Sequence, residues 1–240
     1  MRAAARPLVA LLLLGVVACQ TVPLTNRSQL LLIPEGTELQ LGLSSYQDIL
    51  KKARVSHDPA LNEQVTRVGT RIAEATGRNA FCLPGGKVAV YTGILPITRD
   101  DAGLAAVLGH EVSHAIARHG GERISQQLAV QGGLMATQVA LAQRDARTTQ
   151  WVAAGLGAGA TVGLLLPWSR LQESEADHLG LIYMARAGYH PQAARDLWVR
   201  MASLGGPRQP EFLSTHPAPG TRITQIEAWI PEALQHYQPR

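Results

Sequence analysis

One pentapeptide constrains this chain more than any other feature. His110-Glu111-Val112-Ser113-His114 is an HExxH pattern at the centre of residues 104–118. On a helix, residues four apart lie one turn apart on the same face. His110 and His114 can therefore direct two imidazoles at one metal ion. Glu111 is rotated about 100° from His110 by the 3.6-residue turn. That sets its carboxylate beside the metal, where it can take a proton from an activated water. The flanking Leu104, Ala105, Val107, Leu108, Val112, Ala115, Ile116 and Ala117 predict a buried helix. Two histidines and a glutamate inside such a helix are costly unless something binds them. Two histidines do not complete a catalytic zinc site, so a third ligand must come from elsewhere. His119 does not fit, because the longer histidine pattern wants its third histidine where Gly120 stands.

Residues 169–187 read SRLQESEADHLGLIYMARA. Ser169 can cap a helix there, Leu171, Ala176, Leu179, Tyr183 and Ala187 form one face, and Gly188 ends it. Glu173 and Asp177 are four apart and share a face, whereas Glu175 is rotated about 200° from Glu173. An acidic pair on a helix is ordinarily a solvated face. Coupled to an HExxH helix that lacks its third ligand, Glu173 instead completes a His-His-Glu set. Asp177, one turn on, is suited to accept the second ring N–H of a ligating histidine.

The remainder is predicted to be mainly helical, with a small sheet or hairpin. Residues 35–54 read as a helix. Asp58-Pro59 caps and opens another, which carries Leu61, Val65, Val68, Ile72 and Ala75 and stops at Gly77. Residues 79–95 change character: Pro84-Gly85-Gly86 is a turn signal, and Val88, Val90 and Thr92 alternate with Ala89 and Tyr91 as in a strand. Residues 29–33 form another short apolar run. Residues 122–142 have helical periodicity, and Arg144 to Arg147 break it. Residues 151–168 are apolar and rich in Gly and Ala, and Pro167 is expected to end them. That length suits a closely packed or membrane-dipping helix pair better than a complete span, although a span stays open. Helices from Pro191 to Leu204 and around Ile223, Ile226 and Trp229 close the chain.

Arg2, Arg6 and the apolar residues 8–17 form a leader too short to span a bilayer. Val16-Val17-Ala18-Cys19 resembles the lipobox of bacterial lipoproteins. That resemblance implies cleavage after Ala18, lipid on Cys19, and a mature chain with a tether over 19–28 and one domain over 29–240. Gln20 after the cysteine resembles an outer-membrane address. Cys82 then has no intrachain partner and reads as a small buried apolar residue. The formal net charge is +4, and about +2 once Arg2 and Arg6 leave with the leader, too small and dispersed to imply nucleic acid.

Five pieces in order, NAFCLPGGKVAVYTG, LGHEVSHAIARH, SRLQESEADHLG, AGYHPQAARDLW and EFLSTHPAPGTRI, resemble the HtpX / CAAX prenyl protease family of zinc metalloendopeptidases, especially its single-domain periplasmic lipoproteins. The resemblance covers about residues 25–230. It implies a mainly helical gluzincin fold with a small sheet. It implies one zinc held by His110, His114 and Glu173, with Glu111 as base and Asp177 matching the aspartate of the family's EAD element. His216 and Arg222 match its late His-Pro and Arg-Ile elements near the active site, and His216 is the candidate second stabiliser of the oxyanion. Two departures stand out. Cys82 replaces a usual alanine, and only Arg78 separates Gly77 from Asn79, where the family has a further strand.

The expected activity is endoproteolysis of misfolded or outer-membrane proteins on the periplasmic face of the outer membrane, in contact with outer-membrane assembly machinery. Varied clients favour main-chain recognition, and the candidate free edge is the strand through Val88, Ala89 and Val90. Two rival readings are a non-catalytic zinc-containing assembly factor and a lipid-anchored scaffold without metal. An intact Glu111 favours the enzyme, since a structural site has no use for that carboxylate.

Overall fold

A computed structural model of the chain describes residues 19–77, 88–204, 216 and 221–239, with only the backbone of Cys19. The elements in order are β1 (Cys19–Thr21), β2 (Ser28–Leu30), α1 (Glu35–Lys52), α2 (Pro59–Ala75), a 3₁₀ turn (Thr92–Ile94), α3 (Leu95–Thr98), α4 (Asp101–Ile116), α5 (His119–Ala140), α6 (Ala146–Ala160), a π turn (Thr161–Leu165), α7 (Leu166–Arg186), α8 (Gln192–Ser203) and α9 (Arg222–Leu234). The architecture is mainly helical with one two-stranded antiparallel sheet. The chain separates into two compact units. One comprises residues 1–35 and 118–172, the other residues 36–117 and 173–240.

In the second unit, helix ends follow their sequence signals. Asp58 accepts from the Ala60 and Leu61 amides at the start of α2, and Gly77 at φ 65° closes it. Asp100 accepts from Gly103 N at 2.8 Å to open α4. Gly103 is required there, because a Cβ would lie against Thr98 O. Gly188, at φ 83°, ends α7 in a Schellman turn, with Tyr189 N donating to Met184 O at 2.9 Å. The core is built from Val68 and Ile72 of α2, Leu104, Leu108 and Val112 of α4, Leu179, Leu181 and Met184 of α7, Leu197 and Met201 of α8, and Ile226 of α9, all buried. Helices α4 and α7 cross at two glycines. A Cβ on Gly109 would sit 2.9 Å from Gly180 O, and one on Gly180 would sit 2.9 Å from His110 N. The two backbones therefore touch beside the HExxH motif.

In the first unit, β1 and β2 pair with Cys19 opposite Leu30 and Thr21 opposite Ser28. The segment expected to be a tether is thus a hairpin, turned by Leu24 and Asn26 at positive φ. Glu122, buried on α5, holds it: Arg27 donates to both carboxylate oxygens at 2.7 and 2.8 Å. Gln172 donates to Glu122 Oε2 at 2.7 Å, and Arg123 donates to Gln172. Leu32 N donates to Ser125 Oγ at 2.8 Å.

Three sequence expectations need correction. The strand expected through Val88, Ala89, Val90 and Tyr91 is absent: these residues carry no regular structure before the 3₁₀ turn. Period-two alternation alone does not make a strand without a ladder partner. The rest of that hairpin, Cys82 and the short link after Gly77 lie outside the described residues. Next, Ser169 does not cap a new helix, and Pro167 ends nothing. Helix runs unbroken from Ala146 to Arg186. The π turn explains this, since Leu166 N bonds back to Thr161 O. Widening the turn just before Pro167 makes room for the ring and takes up the carbonyl register that a proline disrupts. Finally, the sheet found among the described residues lies at 19–30.

Candidate metal centre

Three elements and one loop residue of the second unit build the site. Helix α4 supplies His110, Glu111 and His114. Helix α7 supplies Glu173 and Asp177, α9 supplies Arg222, and His216 comes from the segment before α9. The glycine crossing brings α7 close enough for Glu173 to reach the two histidines of α4. Buried Ser113 returns its hydroxyl to Gly109 O at 2.7 Å, which satisfies it within the helix.

The ligand atoms of His110, His114, Glu173 and His216 all lie within 4.8 Å of one another. His110 Nε2 is 3.1 Å from His114 Nε2, 3.3 Å from Glu173 Oε2 and 3.3 Å from His216 Nδ1. His114 Nε2 is 3.4 Å from Glu173 Oε1, and His216 Nδ1 is 2.8 Å from Glu173 Oε2. Donor atoms arranged tetrahedrally about zinc at its usual bond lengths are about 3.3 Å apart. The observed edges match that spacing. Three imidazoles and a carboxylate form a zinc donor set, so these residues fit the ion.

Behind the donors, His110 Nδ1 donates to Asp177 Oδ1 at 2.9 Å. That hydrogen bond leaves Nε2 with its lone pair toward the cluster. Asp177 in turn accepts from Arg222 Nη2 at 2.6 Å, and the guanidinium lies 3.6 Å over the Trp198 ring. Burial works against a charged His110, but the hydrogen bond and charge of Asp177 outweigh it, and its pKa is pushed up to about 9. Burial also opposes the charge on Glu173. Hydrogen bonding from His110, His114 and His216 nonetheless holds it well below the usual carboxylate range. In a metal-free protein the cluster therefore binds protons where it could bind a cation.

Glu111 is placed differently. Its Oε1 is enclosed and lies 3.2 Å from His216 Nε2, an approach not aligned as a hydrogen bond. An acceptor with no fixed donor is suited to receive a proton. His119 and Glu175 are buried but outside the donor group. The structure thus brings His110, Glu111, His114, Glu173, Asp177, His216 and Arg222 together. Among the described residues, Val88, Ala89 and Val90 belong to no strand. Sequence reading missed Trp198, Gly109 and Gly180. The glycines beside the motifs, in LGHE and HLGL, were the available signal.

Comparison with known proteins decides the family. The sequence signature of Peptidase family M48 matches residues 45–230. The chain belongs to peptidase family M48. It is a zinc metallopeptidase of that family, and its donor cluster is the expected kind of site. It is 36% identical to the mitochondrial metalloendopeptidase OMA1 of Schizosaccharomyces pombe, over 88% of this chain and 66% of that protein. It is 38% identical to mitochondrial metalloendopeptidase OMA1 of Arabidopsis thaliana, over 81% of this chain and 38% of that one. It is 26% identical to the beta-barrel assembly-enhancing protease of Escherichia coli K12, over 78% of this chain and 42% of that one. The chain spans less than two thirds of each of these three relatives. They support the family without singling out HtpX or the CAAX prenyl proteases. No solved structure matches the chain.

Proposed function

We propose that the protein is a bacterial envelope endopeptidase, held at the periplasmic face of the outer membrane by lipid on Cys19, that cuts misfolded or outer-membrane proteins. The observation that carries the catalytic part is the convergence of His110, His114 and Glu173 with Glu111 beside them, its Oε1 enclosed and without an aligned donor. The address rests on the lipobox-like sequence ending at Cys19. The client class rests on likeness to a relative named for β-barrel assembly.

Zinc held by His110, His114 and Glu173 would supply a Lewis acid that lowers the pKa of water toward ~7 and polarises a peptide carbonyl. Glu111 takes the proton released as water attacks, and later gives it to the leaving amine. Asp177 and Arg222 hold the His110 ring in one tautomer and orientation. His216 has two positions to fill. Where it stands, its Nδ1 is the fourth corner of the donor set, and four protein donors leave no open place for water. Turned aside, its ring can donate to the developing oxyanion.

Unfolded casein incubated with the purified protein tests this reading. Cleavage should stop with chelator and return with added zinc. Cleavage that persists under chelation would overturn the mechanism. For the address, Cys19→Ala should abolish labelling by a fatty-acid analogue, and labelling that survives would remove the lipid anchor.

A further inference from the structure

The first unit contains a helical hairpin that none of the described residues covers. From residue 127 to residue 171 no side chain is buried. Large apolar residues are among the exposed ones: Met135 is 67% exposed, Val139 72%, Trp151 70% and Val162 67%. The two arms meet along a seam where a Cβ on Gly157 would lie 3.9 Å from Leu134 Cδ1, and a two-helix seam cannot hide both outer faces. In water such a pair would leave most of its apolar surface wet.

The distribution of charge names the missing solvent. Residues 124–143 contain no charged side chain over 20 positions, and residues 148–169 contain none over 22. The second arm is helical throughout and at 1.5 Å per residue is about 33 Å long, the thickness of a bilayer's hydrocarbon core at about 30 Å. The first is helical and uncovered over residues 127–140 and reaches the tip through a turn. Charges resume abruptly at both ends. Arg144, Asp145 and Arg147 form the tip, and Arg123 and Arg170 flank the base. Trp151 and Trp168 mark the two ends of the second arm, where indoles favour the headgroup level. The threonine hydroxyls of the arms are answered by backbone carbonyls, as a lipid environment demands. Thr137 donates to Gly133 O and Thr161 to Gly157 O, each at 2.9 Å. Gln138 lies beside Arg144, Thr149 and Gln150 around one hollow at the tip. Gln127 and Gln131 are the other exposed amides on the helical part of the first arm.

We propose that this hairpin is embedded in a phospholipid bilayer as an antiparallel pair, with the arginine-bearing tip at the far headgroups. A second copy of the chain would bury the apolar faces equally well. It would not account for a charge-free second arm whose length matches a bilayer, nor for tryptophan and arginine at both of its ends. The proposal is independent of catalysis and of the Cys19 lipid.

The test uses the full chain with Cys19→Ser and Cys82→Ala, and an environment-sensitive fluorophore on a single new cysteine. Leu156→Cys and Val162→Cys report the second arm, and Ser45→Cys on α1 is the control. All three positions are exposed, so no packing is lost. With phosphatidylethanolamine–phosphatidylglycerol vesicles, the labels at 156 and 162 should shift to the blue and be quenched by acyl-chain-brominated lipid. The label at 45 should do neither. Labels at 156 and 162 quenched no more than the control would overturn the proposal. So would a blue shift already present without lipid in a particle that sediments as two chains.

Discussion

Helix α4 and the α5–α6 hairpin are both apolar, and they make opposite use of it. In α4, apolar side chains are enclosed by α2, α7 and α8, and three polar residues sit among them because a metal-sized gap needs them. In the hairpin no side chain past residue 126 is enclosed, and the charges have been removed instead. Hydropathy does not separate these cases. The position of the polar residues does: inward and clustered on α4, expelled to the ends on the hairpin.

The sharpest way to break that contrast is to alter the carboxylate of the HExxH motif, which is not a metal donor. Glu111→Gln should keep zinc and lose casein turnover by several orders of magnitude, since base and ligand are separate tasks. Metal content by mass spectrometry and turnover should part company. Next in size is His216→Ala. Zinc should remain on three ligands while turnover falls by about 10²–10³, the cost of one oxyanion donor. A rise in turnover would instead make His216 chiefly a plug in the open position. Asp177→Asn, which removes a charge from behind His110, should weaken zinc binding by about 10–100-fold in a competition titration.

Two alanine substitutions compare the regions directly. Leu108→Ala on α4 should lower unfolding stability by about 2–5 kcal/mol. Leu156→Ala on the hairpin should stay within about 0.5 kcal/mol in aqueous buffer. Equal losses in urea melts would mean the hairpin has a hidden core. The smallest effect is protonic. Metal-free His110, with its pKa near 9, carries a proton at pH 7 that zinc must displace. Loading should release about one proton at pH 7, and the release should fade above pH 9. Calorimetry in buffers of different ionisation enthalpy reads it.

Much of this site was legible in the sequence because helical spacing is rigid. Four-residue steps on one helix put His110 with His114, and on another Glu173 with Asp177, before any tertiary contact is known. The closeness of the two helices was not legible, because it depends on Gly109 and Gly180 facing each other across 71 positions of chain. The hairpin at 19–30 was hidden for a related reason: Arg27 and Glu122 are 95 residues apart, and nothing local signals the pair. Val88 to Tyr91 misled in the opposite direction. Alternation is a local pattern, whereas a strand is a partnership.

The wide turn at Thr161–Leu165 has a bearing on how this chain tolerates insertion and deletion. A π turn is one residue spliced into an α-helix. Removing a single residue there would restore ordinary winding and leave the flanking turns near their present direction, because the wide turn already absorbs that residue. It would also bring Pro167 back against a tightly wound carbonyl ladder. The same deletion in the regular winding of α6 would find no slack to absorb it, and would advance the residues up to Thr161 by about 100°.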